Sequence, residues 1–220
     1  MIARALISES IYPAKTTDSA QQVIDQLEVY RLNELPVLDE DGEVVGMIGM
    51  KALETMNPDD MIGDHVYKGH IDHVAPIAHI YDIIKLLGER SWTMMPVLNK
   101  EGKYRGIISQ EDIFRAFATS FSVRETGALI VIETKRTAYT MSEIAQIVES
   151  ENAAIISCYL SDGKDLDHIR ITLKVNRLDI QFVLATFERY GYDVVASFTS
   201  NDYTDTLKDR YDHLMAYLNV

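Results

Sequence analysis

The apolar and polar positions of this chain repeat. "ELPVLDEDGEVVGMIGM" (34–50) and "MMPVLNKEGKYRGIISQ" (94–110) superpose without a gap at an offset of 60, with Pro36, Gly42 and Gly46 matching Pro96, Gly102 and Gly106. Upstream, Val23, Ile24 and Leu27 match Ile83, Ile84 and Leu87, apolar positions at helical spacing. "DEDG" and "NKEG" stand between short apolar runs, which is hairpin-turn chemistry with glycine free to take positive φ. Each unit therefore reads strand, helix, strand, turn, strand, helix. The two units are expected to bury a common core against each other.

Past Ser120 the pattern changes. "ALIVIE" (128–133) reads as a strand and "TMSEIAQIVESEN" (140–152) as a helix, with Thr140 and Glu143 in capping-box spacing and Ile144, Ile147 and Val148 on one face. "AAIISCYL" (153–160) is a strand, "SDGK" a turn, and "HIRITLKV" (168–175) alternates with Ile169, Ile171, Leu173 and Val175 inward. A second helix, "RLDIQFVLATFERYG", closes on Gly191, and "YDVVASF" is a last strand. The order β-α-β-β-α-β is that of a ferredoxin-like unit. In "YTDTLKDRYDHLMAYLNV", Leu207, Tyr211, Leu214, Met215 and Leu218 share a helical face, an amphipathic helix expected to dock on a domain or a second subunit. The whole is an α/β (α+β) chain with expected divisions at 1–60, 61–120, 125–199 and 200–220.

Composition narrows the partners. Thirty-four acidic against 21 basic residues give a net charge of −13, which argues against a nucleic-acid partner because such binding rests on Lys and Arg neutralising phosphates. "MIARALISES" shows no secretory pattern, and no apolar run approaches the roughly 20 residues that span a bilayer. The single cysteine, Cys158, rules out an internal disulfide framework, so the cytoplasm is the expected compartment. No Gly-rich phosphate loop or nucleophile elbow is present, and the chain reads as non-catalytic.

The candidate chemistry lies in "GIISQEDI" (106–113). Ser109 followed at the third position by Asp112 is a helix-start signature in which serine caps and the carboxylate favours the helix dipole. The first repeat has Gly49 and Ala52 at the matching positions. His65, His70, His73 and His79 fall in one window, open to a metal or small-anion reading. They lack a cysteine or a fixed i, i+4 pair, and no metal is expected.

With "LPVLD…G…VG", "MPVLN…G…RG" and "GIISQEDI", the repeat resembles a tandem pair of cystathionine β-synthase (CBS) motifs, a Bateman module. Residues 128–198 resemble an ACT domain, and the combined order is similar to acetoin-utilisation-type CBS proteins. The resemblance implies a regulatory protein that binds an adenosine nucleotide (AMP, ADP or ATP) as ligand, with no cofactor. Asp112 would take the ribose hydroxyls and Ser109 ribose or phosphate, while Tyr12 and Pro13 at the opening strand, with Leu32 and Asn33 before "ELPV", complete the cleft. Tyr12 would stack on the base. Such motifs also carry a serine or threonine directly before the aspartate, where this chain has Glu111, and some place His-Arg where it has Thr93-Met94. The sister cleft, with Gly49, Ala52, Asp72, His73, Trp92 and Thr93, lacks the ribose anchor, so one nucleotide per pair is expected. ACT domains that bind amino acids carry a glycine near the position of Tyr139, which points instead to subunit pairing. A homodimer regulating another protein is expected; the alternative is a protein–protein scaffold with no small-molecule ligand.

Overall fold

The computed structural model describes residues 1–69 and 71–199. The chain divides into two compact units, Met1–Ala118 and a second beginning at Thr119.

In the first unit the repeat is visible element by element. The first copy has β1 (Ala14–Lys15), α1 (Ala20–Tyr30), β2 (Glu34–Leu38), β3 (Val44–Gly49) and α2 (Met50–Leu53). The second has α3 (Ile80–Arg90), β4 (Met94–Leu98), β5 (Tyr104–Ser109) and α4 (Gln110–Ala118). β1 pairs in parallel with β2, and β2 with β3 antiparallel; in the second copy the opening strand shrinks to one parallel bridge, Val74 to Val97. The hairpins share one mechanism. Asp39 Oδ1 accepts from the Asp41 and Glu43 amides, Asn99 Oδ1 from those of Glu101 and Lys103, and Gly42 and Gly102 take φ of 80° and 81°. The helices also start alike, α1 with Ser19 and Gln22 in a capping box, α3 with His79 and Asp82 in the same places.

The copies interlock. β4 is buried along its whole length, so its alternating side chains serve two cores: Met94 joins Leu27, Leu35, Val37 and Ile48, while Met95 and Val97 join Ile80, Ile83 and Ile108. Ala3 and Leu6, from the N-terminal end, pack into this second cluster. Burying each such aliphatic side chain contributes about 1.5–3 kcal/mol, so the shared residues stabilise both clusters.

The second unit holds α5 (Phe121–Arg124), β6 (Ala128–Lys135), α6 (Met141–Ser150), β7 (Ile155–Asp162), β8 (His168–Val175), α7 (Gln181–Arg189) and β9 (Asp193–Phe198). Its sheet runs β7-β8-β6-β9 with every neighbouring pair antiparallel, the ferredoxin-like arrangement. Ile130, Ile132, Ile171 and Leu173 from the sheet meet Ile144, Ile147, Val148, Val183 and Phe187 from α6 and α7. Thr140 Oγ1 accepts from the Glu143 amide, but the Glu143 carboxylate leaves the cap and accepts from the Tyr192 hydroxyl. The C-terminal amphipathic segment, 200–220, lies outside the described residues.

Candidate functional site

The site is built where β5 hands over to α4. Ser109 is 3% exposed and closes a reciprocal cap with Asp112. Ser109 Oγ donates to Asp112 Oδ2 at 2.6 Å, the Ser109 amide donates to the same oxygen at 3.0 Å, and the Asp112 amide donates to Ser109 Oγ at 3.1 Å. Gly49 starts α2 without a side-chain cap, and that helix lasts four residues against nine for α4. The polar pair thus has a structural role: it gives the second copy's helix a side-chain cap that the first copy's lacks.

Asp112 Oδ1 stays outside this cap, with Arg115 Nη1 at 4.0 Å, and Arg115 Nη2 donates to Glu111 Oε1 at 2.6 Å. In front of the pair lies a cleft of about 260 Å³ lined by Ser8, Ser10, Ile11, Val29, Tyr30, Ser109, Glu111, Asp112 and Arg115. A smaller recess of about 170 Å³ shares Tyr30, Ser109 and Glu111 with it and adds Arg31, Leu32, Thr93 and Gln110. Arg31 sits there in the left-handed conformation (φ 54°) that ends α1.

Of the residues singled out in sequence, Ser109 and Asp112 line the larger cleft and Leu32 the smaller recess. Tyr12, 63% exposed, and Pro13 line neither, and Ser8, Ser10 and Ile11 stand in their place. The Ser8 amide donates to Ile107 O at 2.8 Å, which lays this earlier segment rather than Tyr12 alongside β5. No repeat partner marks Ser8 or Ser10, so the repeat carries no signal for them. Asn33 is absent from both linings, and its backbone ties the copies together: its amide donates to Thr93 Oγ1 at 3.0 Å and its carbonyl accepts from the Met50 amide. Thr93 in turn donates through its amide and hydroxyl to Glu34 Oε1 at 2.7 and 2.8 Å. Sequence spacing gave no sign of this latch.

The side chains named for the sister cleft have partners within the protein. Asp72 pairs with Arg90 at 2.6 Å, Trp92 packs on the second cluster, and Thr93 is held by Glu34. His79 Nδ1 accepts from the Tyr81 amide as part of the α3 cap, and His73 Nδ1 lies 3.0 Å from Ile71 O. Among the described residues no three His, Cys, Asp or Glu side chains gather to hold a metal; His70 lies outside them.

In the second unit Tyr139 packs against the core beside α6. Glu133, buried in β6, has its carboxyl pushed up by burial. The Arg170 Nε bond at 3.0 Å, the Lys164 amide and both cationic charges outweigh that and leave it below the usual range. Tyr192 is raised to about 12, first by burial and then by its bond to Glu143. Burial alone raises the Cys158 thiol, which makes it a poor nucleophile. No helix among the described residues is long and apolar enough to cross a membrane.

The CBS domain family model matches residues 3–54 and 66–119. Among solved structures the chain is similar to the CBS domains of a transcriptional regulator from Streptococcus pneumoniae, at 18% identity over 52% of this chain and 98% of that one, with a TM-score of 0.47. It is similar to a CBS domain pair/ACT domain protein from Thermotoga maritima, at 18% identity over 55% of this chain and 99% of that one, with a TM-score of 0.48. A third is CBSX2, solved in complex with AMP, at 19% identity over 53% and 95% with a TM-score of 0.45. The chain therefore carries a tandem pair of CBS domains, followed by a ferredoxin-like unit.

Proposed function

We propose that this chain is a non-catalytic regulatory protein whose CBS pair binds one adenosine ligand, of the AMP or ATP type, in the Asp112 cleft. The ACT-like unit reads out the occupancy in a homodimer acting on a second protein. Asp112 carries the reading: Ser109 holds one carboxylate oxygen and orients the group, while Oδ1 is left outside that cap to accept from a ribose hydroxyl. Bonds to a charged acceptor are worth about 1.5–3 kcal/mol, enough to anchor a sugar. Ile11, Val29 and Tyr30 supply apolar surface for a base. The ligand shifts the protein only by as much as its affinity differs between two states. Mass spectrometry of small molecules released from the purified protein tests this. An adenosine compound supports it, whereas none, together with no calorimetric heat from AMP at millimolar concentration, overturns it.

One observation favours a second reading, a scaffold without ligand. The Ser109–Asp112 pair is self-satisfied as a helix cap, and Gly49 and Ala52 remove it from the sister copy. Under this reading the cleft residues serve the fold alone, and the same spectrum decides.

A further inference from the structure

Resting on the reading of the Asp112 cleft as an adenosine site, we infer that the cleft ranks its ligands inversely to their negative charge: it takes adenosine or its monophosphate and rejects the triphosphate. The lining explains the order. Glu111 and Asp112 both face the larger cleft, and its cation, Arg115, is committed to Glu111 at 2.6 Å with Asp112 at 4.0 Å. The start of α4, where an anion would ordinarily find backbone donors, is largely taken up inside the protein. The Ser109 amide goes to Asp112, the Asp112 amide to Ser109 Oγ, and the Gln110 amide to Thr93 O at 3.0 Å. Glu111 belongs to both recesses, so a phosphate chain running from one to the other passes its carboxylate. Arg31, in the smaller recess, is the remaining cation of the two linings and offsets only part of the charge of a single phosphate. A triphosphate adds charge that no further lining residue offsets, in a chain whose net charge is already −13.

Titration calorimetry of the full chain with adenosine, AMP and ATP, in metal-free buffer at two ionic strengths, tests the order. Adenosine is expected to bind at least about tenfold more tightly than ATP at low salt, about 1.4 kcal/mol, with AMP between them. The gap should narrow as salt rises, because exposed charges are screened. Glu111→Lys should tighten ATP at least about tenfold, since it removes a repulsive charge and releases Arg115, and Glu111→Gln should move it the same way by less. Glu111 is exposed at the helix surface, so these substitutions leave the core intact. ATP binding as tightly as adenosine, or a gap indifferent both to salt and to position 111, overturns this inference and leaves the site standing. Failure of all three ligands to bind overturns the site itself.

Discussion

Replacing Ser109 with alanine removes the hydroxyl that serves Asp112 as both donor and acceptor. The lost cap is worth about 1 kcal/mol. The lost bond to a carboxylate is of the class worth about 1.5–3 kcal/mol, discounted because the Ser109 amide still holds Oδ2 and water reaches the partly open Asp112. The sum is about 2 kcal/mol. With a urea dependence of about 1–3 kcal/mol per molar, the midpoint should fall by about 1 M. Trp92, the sole tryptophan, packs on the second cluster, and its carbonyl accepts from Gln110 Nε2 at 2.8 Å, so its fluorescence reports unfolding of this unit. A cycle with Asp112→Ala should give an interaction energy of about 1 kcal/mol or more. Gly49→Ser in the first copy should gain only a few tenths of a kcal/mol, because glycine is a tolerable N-cap. Strict additivity of the two alanine substitutions, or a Ser109→Ala cost below about 0.5 kcal/mol, refutes the cap as described.

Two further outcomes concern the second unit. Tyr192 has a folded pKa of about 12 against an ordinary value of 10.0, so its contribution is complete below pH 10 and is lost as pH rises through 12. Tyr192→Phe should remove that alkaline loss and delete one late-titrating phenolate from the ultraviolet difference spectrum. Glu133 is lowered instead, so its contribution is present above the ordinary carboxylate pKa and lost as pH falls through the depressed one. Glu133→Gln should flatten the acid limb of stability followed by circular dichroism, and an unchanged limb would show that the Arg170 and Lys164 bonds carry no linkage.

Much of this architecture was legible because the repeat wrote it twice. The hairpins at Asp39 and Asn99 rest on local bonds from a side chain to amides two and four residues on, which sequence shows directly. The ferredoxin-like order was readable from alternation in β8 and helical spacing in α6 and α7. What sequence missed depends on partners far along the chain. The opening strand of the second copy is a single bridge from Val74 to Val97, twenty-three positions on, a pairing its own residues do not spell out. Glu143 reads as a capping-box member but is drawn away by Tyr192, forty-nine positions later. The cleft wall at Ser8 and Ser10 follows from a backbone bond to Ile107, which no periodicity encodes. The latch from Glu34 to Thr93 likewise exists only once the copies interlock.

The most direct test of the adenosine site is calorimetric titration of the full chain with AMP beside its Asp112→Asn variant. The variant keeps the shape and an acceptor for Ser109 while removing the charge offered to the ribose. One site per chain is expected, with an affinity at least about tenfold weaker in the variant, the consequence of losing bonds worth about 1.5–3 kcal/mol to a charged acceptor. Two sites per chain, or equal affinity in both proteins, would contradict it.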